Sequence, residues 1–232
     1  SSASPGSPAS SSNGPATTER AVVTTAGPDS RGAPRGRERF ADAARGNRIL
    51  AVGDSITNAI GPDHGGQLCA DLGRRGWSLT VDAEQGRDIA AGRDALERRL
   101  ASDEWDAAIV NLGSNYRDDP AAYAADLRAI LDALRPRPVI VVTVAEFEAA
   151  IAEVNYVIRD LARDRERVWV VEWSERTRAD ERLTGDDGLH LTDTGRGVLS
   201  AMLTAVAGPA PDVDGPATTG CATAAATADG GG

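Results

Sequence analysis

Short apolar runs alternate with amphipathic stretches from residue 48 onward. The runs carry Val, Ile, Leu and Ala at successive positions, without the strict polar alternation of a strand that has one solvated face. Such runs are typical of strands buried on both faces of a parallel sheet. We predict strands at 48–53, 79–83, 107–112, 138–144 and 167–173.

The stretches between these runs repeat apolar residues at helical spacing. Residues 118–134 carry Tyr123 and Leu127 on one face, behind an Asp cap and Pro120 in the first turn. Strands that alternate with helices predict an α/β fold, here a three-layer α/β/α sandwich around a five-stranded parallel sheet. The same helical periodicity recurs in residues 146–162 and 192–206.

Segments of a different composition flank the predicted domain. Residues 1–46 are rich in Ser, Pro, Gly and Ala and bury too little apolar surface to offset the entropy of ordering, so we predict a disordered linker. At the end of this linker, residues 35–47 predict a short helix that leads into the domain. Residues 208–232 have a similar character and are predicted as a disordered tail. The domain itself is predicted over 47–207.

The net charge of −10 narrows the range of partners. It argues against nucleic acid and against an anionic membrane surface. The two cysteines, Cys69 and Cys221, form no metal-binding motif. Cys69 is either a small buried apolar residue or one half of a disulfide with Cys221, formed in an oxidising compartment.

Polar residues accompanied by glycine follow several of the predicted strands. In parallel sheets the chemistry lies at the carboxyl ends of the strands, so these residues are expected to meet at one edge. They form four blocks: Gly53-Asp54-Ser55-Ile56, Gln85-Gly86-Arg87, Gly113-Ser114-Asn115 and Asp187-Gly188-Leu189-His190.

A serine, a histidine and an aspartate in these blocks fit nucleophilic catalysis. A serine hydroxyl needs a base to remove its proton, and histidine is the natural base near neutral pH. We predict Ser55 as the nucleophile, His190 as the base and Asp187 as the carboxylate that orients the base. The anionic oxygen of the intermediate needs donors, for which the backbone N–H groups of Ser55 and Gly86 and the amide of Asn115 are candidates.

Several of these residues also have a purely structural interpretation. Ser55 is a candidate helix cap, and Gly86 is a candidate turn residue. Asp54 is expected to brace its turn by hydrogen bonding rather than to act as an acid. His64, the other histidine of the chain, is predicted as a loop residue.

In this order, the four blocks resemble those of the SGNH (GDSL-like) hydrolase family, and the resemblance spans 47–207. It implies a flavodoxin-like sheet of order 2-1-3-4-5, the triad and oxyanion donors named above, and no metal or organic cofactor. Tyr116 departs from the family pattern, which usually has Asp after the G-x-N block, so we expect a changed pocket. The D-A-x-x-G-R pattern of 82–87 is similar to SGNH domains fused to acyltransferase-3 membrane domains.

Position along the chain also predicts the walls of a substrate pocket. Tyr116 follows the third strand, and Glu146 and Phe147 follow the fourth, so all three are candidate wall residues. Arg87 is either a salt-bridging surface residue or a contact for a polar substrate.

The leading functional hypothesis is an esterase that removes short acyl groups, foremost acetyl, from a polar or carbohydrate substrate through an acyl-serine intermediate. The alternatives are an O-acyltransferase that passes acetyl to a cell-envelope glycan, and a non-catalytic α/β binding module. The Ser/Pro-rich linker fits a domain held outside the membrane, with a membrane domain upstream of this chain. We also expect a monomer.

Overall fold

One parallel sheet organises the molecule, of which the computed structural model describes residues 38–212 and 220–224. The strands are β1 (Arg48–Gly53), β2 (Ser78–Ala83), β3 (Ala107–Asn111), β4 (Val139–Val142), β5 (Val168–Val171) and β6 (Cys221–Thr223). All pair in parallel, in the order β5-β4-β3-β1-β2-β6. Within the described ranges, no helix has the length and apolar character needed to cross a membrane.

Helices cover both faces of the sheet and enclose two apolar cores. They are α1 (Phe40–Ala43), α2 (Ser55–Asn58), α3 (Gln67–Gly73), α4 (Ile89–Ser102), α5 (Pro120–Ala133), α6 (Ile151–Arg163), α7 (Trp173–Ala179) and α8 (Asp193–Ala207). One core is formed with α1, α3 and α8, and the other with α4, α5 and α6.

The continuous apolar runs follow from this arrangement, as β1 illustrates. Ile49 and Ala51 contribute to the core under α8, whereas Leu50 and Val52 contribute to the core under α4 and α5. All four residues are at most 1% exposed. Because neighbouring side chains point to opposite faces of a strand, a strand covered on both faces carries apolar residues at every position.

The predicted α/β sandwich is confirmed, and the five predicted strands are β1 to β5 in the order that the family resemblance implied. The sheet has six strands instead of five, because β6 adds to the edge of β2. The fourth strand is shorter than predicted and ends at Val142 instead of residue 144. The reason is a side chain: the backbone N–H and carbonyl of Val144 are both bonded to the amide of Asn155. The helix predicted from residue 146 accordingly begins only at Ile151, after a loop.

The fold extends beyond the predicted domain limits on both sides. Phe40, in the segment predicted as linker, is 1% exposed and packs edge-on against Trp169. In the segment predicted as tail, β6 pairs with β2, and a disulfide joins Cys221 to Cys69 of α3. These contacts depend on partners far away in the chain, which local composition does not reveal. The remaining linker and tail residues, 1–37, 213–219 and 225–232, lie outside the described residues.

Candidate active site

The turn after β1 is held by a buried carboxylate. Asp54 is 0% exposed; its Oδ1 accepts a hydrogen bond from the Ile56 N–H (3.0 Å), and its Oδ2 accepts one from the Ser114 N–H (3.3 Å) in the loop after β3. Burial raises the pKa of Asp54, although these backbone donors oppose the rise. Asp54 therefore caps α2 and ties two loops together, which leaves the hydroxyl of Ser55 free of the capping role.

Three side chains from distant parts of the chain form one hydrogen-bonded series. The Ser55 Oγ lies 3.3 Å from the His190 Nε2, and the His190 Nδ1 lies 2.6 Å from the Asp187 Oδ2. With a proton on Nδ1, the ring donates to Asp187 and its Nε2 accepts from the hydroxyl of Ser55. The structure thus brings together the three residues predicted as a triad, two of them 135 positions apart.

The loop that carries Asp187 and His190 is fixed mainly by its own hydrogen bonds. The Asp187 Oδ1 accepts from the backbone N–H groups of Leu189 and His190, both at 3.0 Å. The Gly185 N–H closes the loop by donating to the His190 carbonyl (2.8 Å). The hydrogen bond with the His190 ring, followed by the two backbone bonds, lowers the pKa of Asp187 to about 2.

The two loops predicted to supply oxyanion donors are joined to each other. Gly86 lies in an exposed turn after β2, with a φ of +75°. The Asn115 Nδ2 donates to the backbone carbonyl of Arg87, the next residue, at 3.1 Å. Because an amide nitrogen carries two hydrogens, this bond orients Asn115 and leaves its second N–H for another acceptor.

The side chain of Arg87 faces inward. Its side chain is 7% exposed, and its guanidinium donates to the Asp82 carboxylate (2.8 Å) and to the Asp82 and Gly53 carbonyls (2.7 and 3.4 Å). These bonds hold the ends of β1 and β2 together. Burial of the side chain argues against the predicted substrate contact. Of the alternative, a salt-bridging surface residue, the salt bridge is present but the side chain is buried, because position in sequence does not show which way a long side chain turns.

Tyr116 lines a small cavity. Its hydroxyl donates to the Glu153 carboxylate (2.8 Å), and its ring packs edge-on against Tyr123 at 5.9 Å. The cavity, of about 140 Å³, is also lined by Asn115 and Ile89. Partial burial, followed by the neighbouring Glu153 carboxylate, raises the pKa of the Tyr116 hydroxyl above its ordinary value, which keeps it a neutral donor.

Glu146 and Phe147 lie in the loop after β4. The Glu146 carboxylate accepts hydrogen bonds from Arg178 (2.8 Å) and Asn155 (3.1 Å). Burial opposes its charge, but these donors outweigh burial, so the pKa of Glu146 is lowered. Phe147 packs against Gly188, in the loop of the histidine: a Cβ placed on Gly188 would lie 3.4 Å from the Phe147 Cβ. In the described part of the chain, no group of three His, Cys, Asp or Glu side chains is placed to hold a metal ion.

A family match accompanies this geometry. Residues 51–198 match the model of the GDSL-like Lipase/Acylhydrolase family. The chain belongs to this family. The matched region contains all four blocks of the candidate site and extends from β1 into α8. No curated protein matches the chain by sequence.

Solved structures similar to this GDSL-like enzyme include esterases and a transferase. The lipase/acylhydrolase from Enterococcus faecalis aligns with a TM-score of 0.60 and 18% identity over 68% of this chain and 94% of its own. The acetyl xylan esterase AlAXEase aligns at 0.57 and 19% over 68% and 98%. The C-terminal catalytic domain of the Streptococcus pneumoniae peptidoglycan O-acetyltransferase A aligns at 0.55 and 15% over 70% and 93%. At these identities the likeness shows a shared fold.

Sequence reasoning missed two side chains that shape the site of this GDSL-like enzyme. Asn155 is 0% exposed and anchors the loop after β4, and Arg178 of α7 fixes Glu146 from the other side. Asn155 left a signal, since it is a polar residue on the apolar face of a predicted helix. Arg178 left none, because one more arginine on an exposed helix is unremarkable in sequence.

Proposed function

We propose that this enzyme is a serine esterase that removes short acyl groups, foremost acetyl, from a polar or carbohydrate substrate. The observation that carries the proposal is the continuous series Ser55 Oγ, His190 Nε2, His190 Nδ1, Asp187 Oδ2. Such a series is what turns a weakly nucleophilic hydroxyl into a reactive one. It also argues against a non-catalytic binding module, which has no need of it.

In the proposed reaction, the Ser55 Oγ attacks the carbonyl carbon while the His190 Nε2 takes the hydroxyl proton. The Asp187 carboxylate stabilises the resulting imidazolium through Nδ1. His190 then gives the proton to the departing alkoxide, and the acyl group remains on Ser55. Water attacks this acyl-serine by the same steps in reverse, releasing the carboxylic acid and the free serine.

The anionic oxygen of each tetrahedral intermediate is assigned to three donors: the N–H groups of Ser55 and Gly86 and the Nδ2 of Asn115. Ser55 opens α2, and N–H groups at the first turn of a helix lack acceptors within the helix. The bond from Asn115 to the Arg87 carbonyl supports this assignment, because it fixes the amide beside the Gly86 turn.

An open site supports a polar substrate rather than a long acyl chain. The side chains of His190 and Asp187 are 58% and 52% exposed. The Glu146–Arg178 ion pair belongs to the loop after β4, whose Phe147 packs against Gly188 of the histidine loop. An acetyl xylan esterase and a family 3 carbohydrate esterase from Clostridium thermocellum are among the structures of similar fold.

The first test is Ser55→Ala, assayed with p-nitrophenyl acetate, butyrate and octanoate. We expect turnover of the acetate to fall by about 10³-fold or more, because the nucleophile is lost. Ser102→Ala, at the exposed end of α4, is the matched control and should retain full activity. Wild-type rates in Ser55→Ala would contradict the mechanism, and a preference for octanoate would contradict the substrate class.

An O-acyltransferase that uses the same acyl-serine is the second candidate. The exposure of His190 and the fold shared with the S. pneumoniae O-acetyltransferase domain favour it. The two candidates differ in whether water or a sugar hydroxyl attacks the acyl-enzyme. Supplying an acetyl donor with glycan oligomers separates them: acetylated glycan supports transfer, and free acetate alone supports hydrolysis.

We also propose that the domain works outside the cytoplasm. The disulfide between Cys69 and Cys221 supports this, because such bonds persist in oxidising compartments and are rare in the cytosol. Thiol titration of protein isolated from its native source, with and without prior reduction, tests the proposal. Two free thiols in the unreduced protein would contradict it.

A further inference from the structure

A buried amide organises the loop after β4. Asn155 of α6 is 0% exposed. Its Oδ1 accepts from the Val144 N–H (2.7 Å), and its Nδ2 donates to the Val144 carbonyl (2.9 Å) and to the Glu146 carboxylate (3.1 Å). One side chain therefore fixes the backbone of this loop at the point where it leaves the sheet. The amide oxygen and both amide hydrogens of Asn155 have hydrogen-bond partners.

The loop fixed by Asn155 contacts both sides of the site. On one side is Gly113, which precedes Asn115 by two residues and has a φ of +138°. A Cβ on Gly113 would lie 2.8 Å from the Val154 Cγ1 and 3.0 Å from the Val144 Cγ2, so the Asn115 loop packs directly on residues next to Asn155.

On the other side, the same loop supports the histidine. Phe147, one residue after the anchored Glu146, lies against Gly188. Gly188 has a φ of +70°, which favours glycine, and it lies between Asp187 and His190. A shift of Phe147 would therefore change the conformation of the short turn that places the His190 ring against Asp187.

We propose that Asn155 is a positioning residue for catalysis, which sets the distance between the oxyanion loop and the Asp187–His190 loop through the segment 144–147. The inference rests on the proposed function. Asn155 touches none of the three residues of the series, so it acts through Val144 and Phe147. A displacement of such loops by about 1 Å is enough to slow a reaction up to about 100-fold without unfolding the protein.

The alternative is that Asn155 only stabilises the fold, and a matched control separates the two. Ser200 of α8 is also 0% exposed, and its hydroxyl donates to Asp71 (2.5 Å) on the opposite face of the sheet. Ser200→Ala removes a buried hydrogen bond that is not connected with the loop after β4. It is expected to lower the unfolding temperature and leave catalysis unchanged.

The experiment compares Asn155→Ala with Ser200→Ala in the full chain, with two readouts. The first is the separate measurement of kcat and KM for p-nitrophenyl acetate. The second is the downfield NMR signal of the His190 Nδ1 proton, identified by its loss in His190→Ala. For Asn155→Ala we expect kcat to fall about tenfold or more with KM changed by less than about twofold, and the proton signal to move or broaden.

Two outcomes would overturn the inference. In the first, Asn155→Ala lowers only the unfolding temperature, as Ser200→Ala does. If Asn155→Ala does not fold, Glu146→Ala removes one of the anchoring bonds at a more exposed position and is judged by the same readouts. The second outcome that would overturn the inference is a Glu146→Ala variant with unchanged kcat and an unchanged proton signal. If the wild type shows no Ser55-dependent turnover, the proposed function fails, and the proton signal alone still tests the positioning role.

Discussion

The nucleophile and the base are held in place in opposite ways. Ser55 follows a carboxylate that is 0% exposed and that reaches across to the loop after β3, so tertiary burial fixes its turn. Asp187 and His190 are more than half exposed and are held by hydrogen bonds within four residues. The comparison indicates a division: the turn of the attacking atom is fixed by buried hydrogen bonds between loops, whereas the exposed group that moves protons is held by hydrogen bonds within its own loop and by the packing of Phe147 on Gly188.

The largest expected effect on catalysis comes from removing the exposed base, His190. His190→Ala should lower kcat for p-nitrophenyl acetate by about 10⁴-fold, because His190 is the base that is hydrogen-bonded to the Ser55 hydroxyl. The unfolding temperature should hardly change, since the side chain is 58% exposed. His64→Ala, which alters the other histidine, should retain full activity. Equal losses in the two variants would remove His190 from the mechanism.

Asp187→Asn should lower kcat by about 10³-fold while the protein stays folded, because the amide no longer stabilises the imidazolium. Asp186→Asn, one residue earlier, serves as the control.

Calorimetry tests the pH dependence of stability. Since the pKa of Asp187 is lowered from 3.8 to about 2, its stabilising contribution is complete above about pH 4 and is lost as the pH falls through 2. The wild type should therefore lose more stability than Asp187→Asn between these values.

Cys221→Ser should destabilise the protein by about 2–4 kcal/mol, since the disulfide closes a span of 152 residues. Denaturant unfolding measures this loss. Cys69→Ser should give the same loss, and the double variant no more, because all three remove one bond. Activity at 25 °C should remain, because neither cysteine contacts the triad. Additive losses would mean that the cysteines contribute separately.

The smallest expected effect comes from removing the buried carboxylate of Asp54, and it is an effect on stability. Asp54→Ala should lower the free energy of unfolding by about 1–3 kcal/mol, because the N–H groups of Ile56 and Ser114 lose their acceptor in a buried place. Asp119→Ala removes an exposed helix cap on α5 and should cost about 1 kcal/mol. A smaller loss for Asp54→Ala than for Asp119→Ala would contradict the view that burial fixes the serine turn.

What the sequence predicted well was local or periodic. Apolar runs identified the strands, because the sheet is covered on both faces, and glycine-bearing blocks identified the loops at its carboxyl edge. The direction of Arg87, the bonds of Asn155 and the pairing of β6 were not predictable in this way. Each depends on a partner that only the folded chain brings near. The sequence marks Asn155 as a polar residue on an apolar helix face, but it does not show which groups Asn155 bonds.

The pairing of β6 with β2 has a practical consequence for anyone who shortens this chain. A chain ended at residue 207, where the sequence suggests that the domain stops, lacks the strand that covers β2. It exposes the backbone groups of Leu79 and Val81 as an open edge, and it leaves the thiol of Cys69 without Cys221. Such a fragment would be prone to association through that edge and to disulfide cross-linking between copies in air. Both properties would result from the truncation and not from the intact domain.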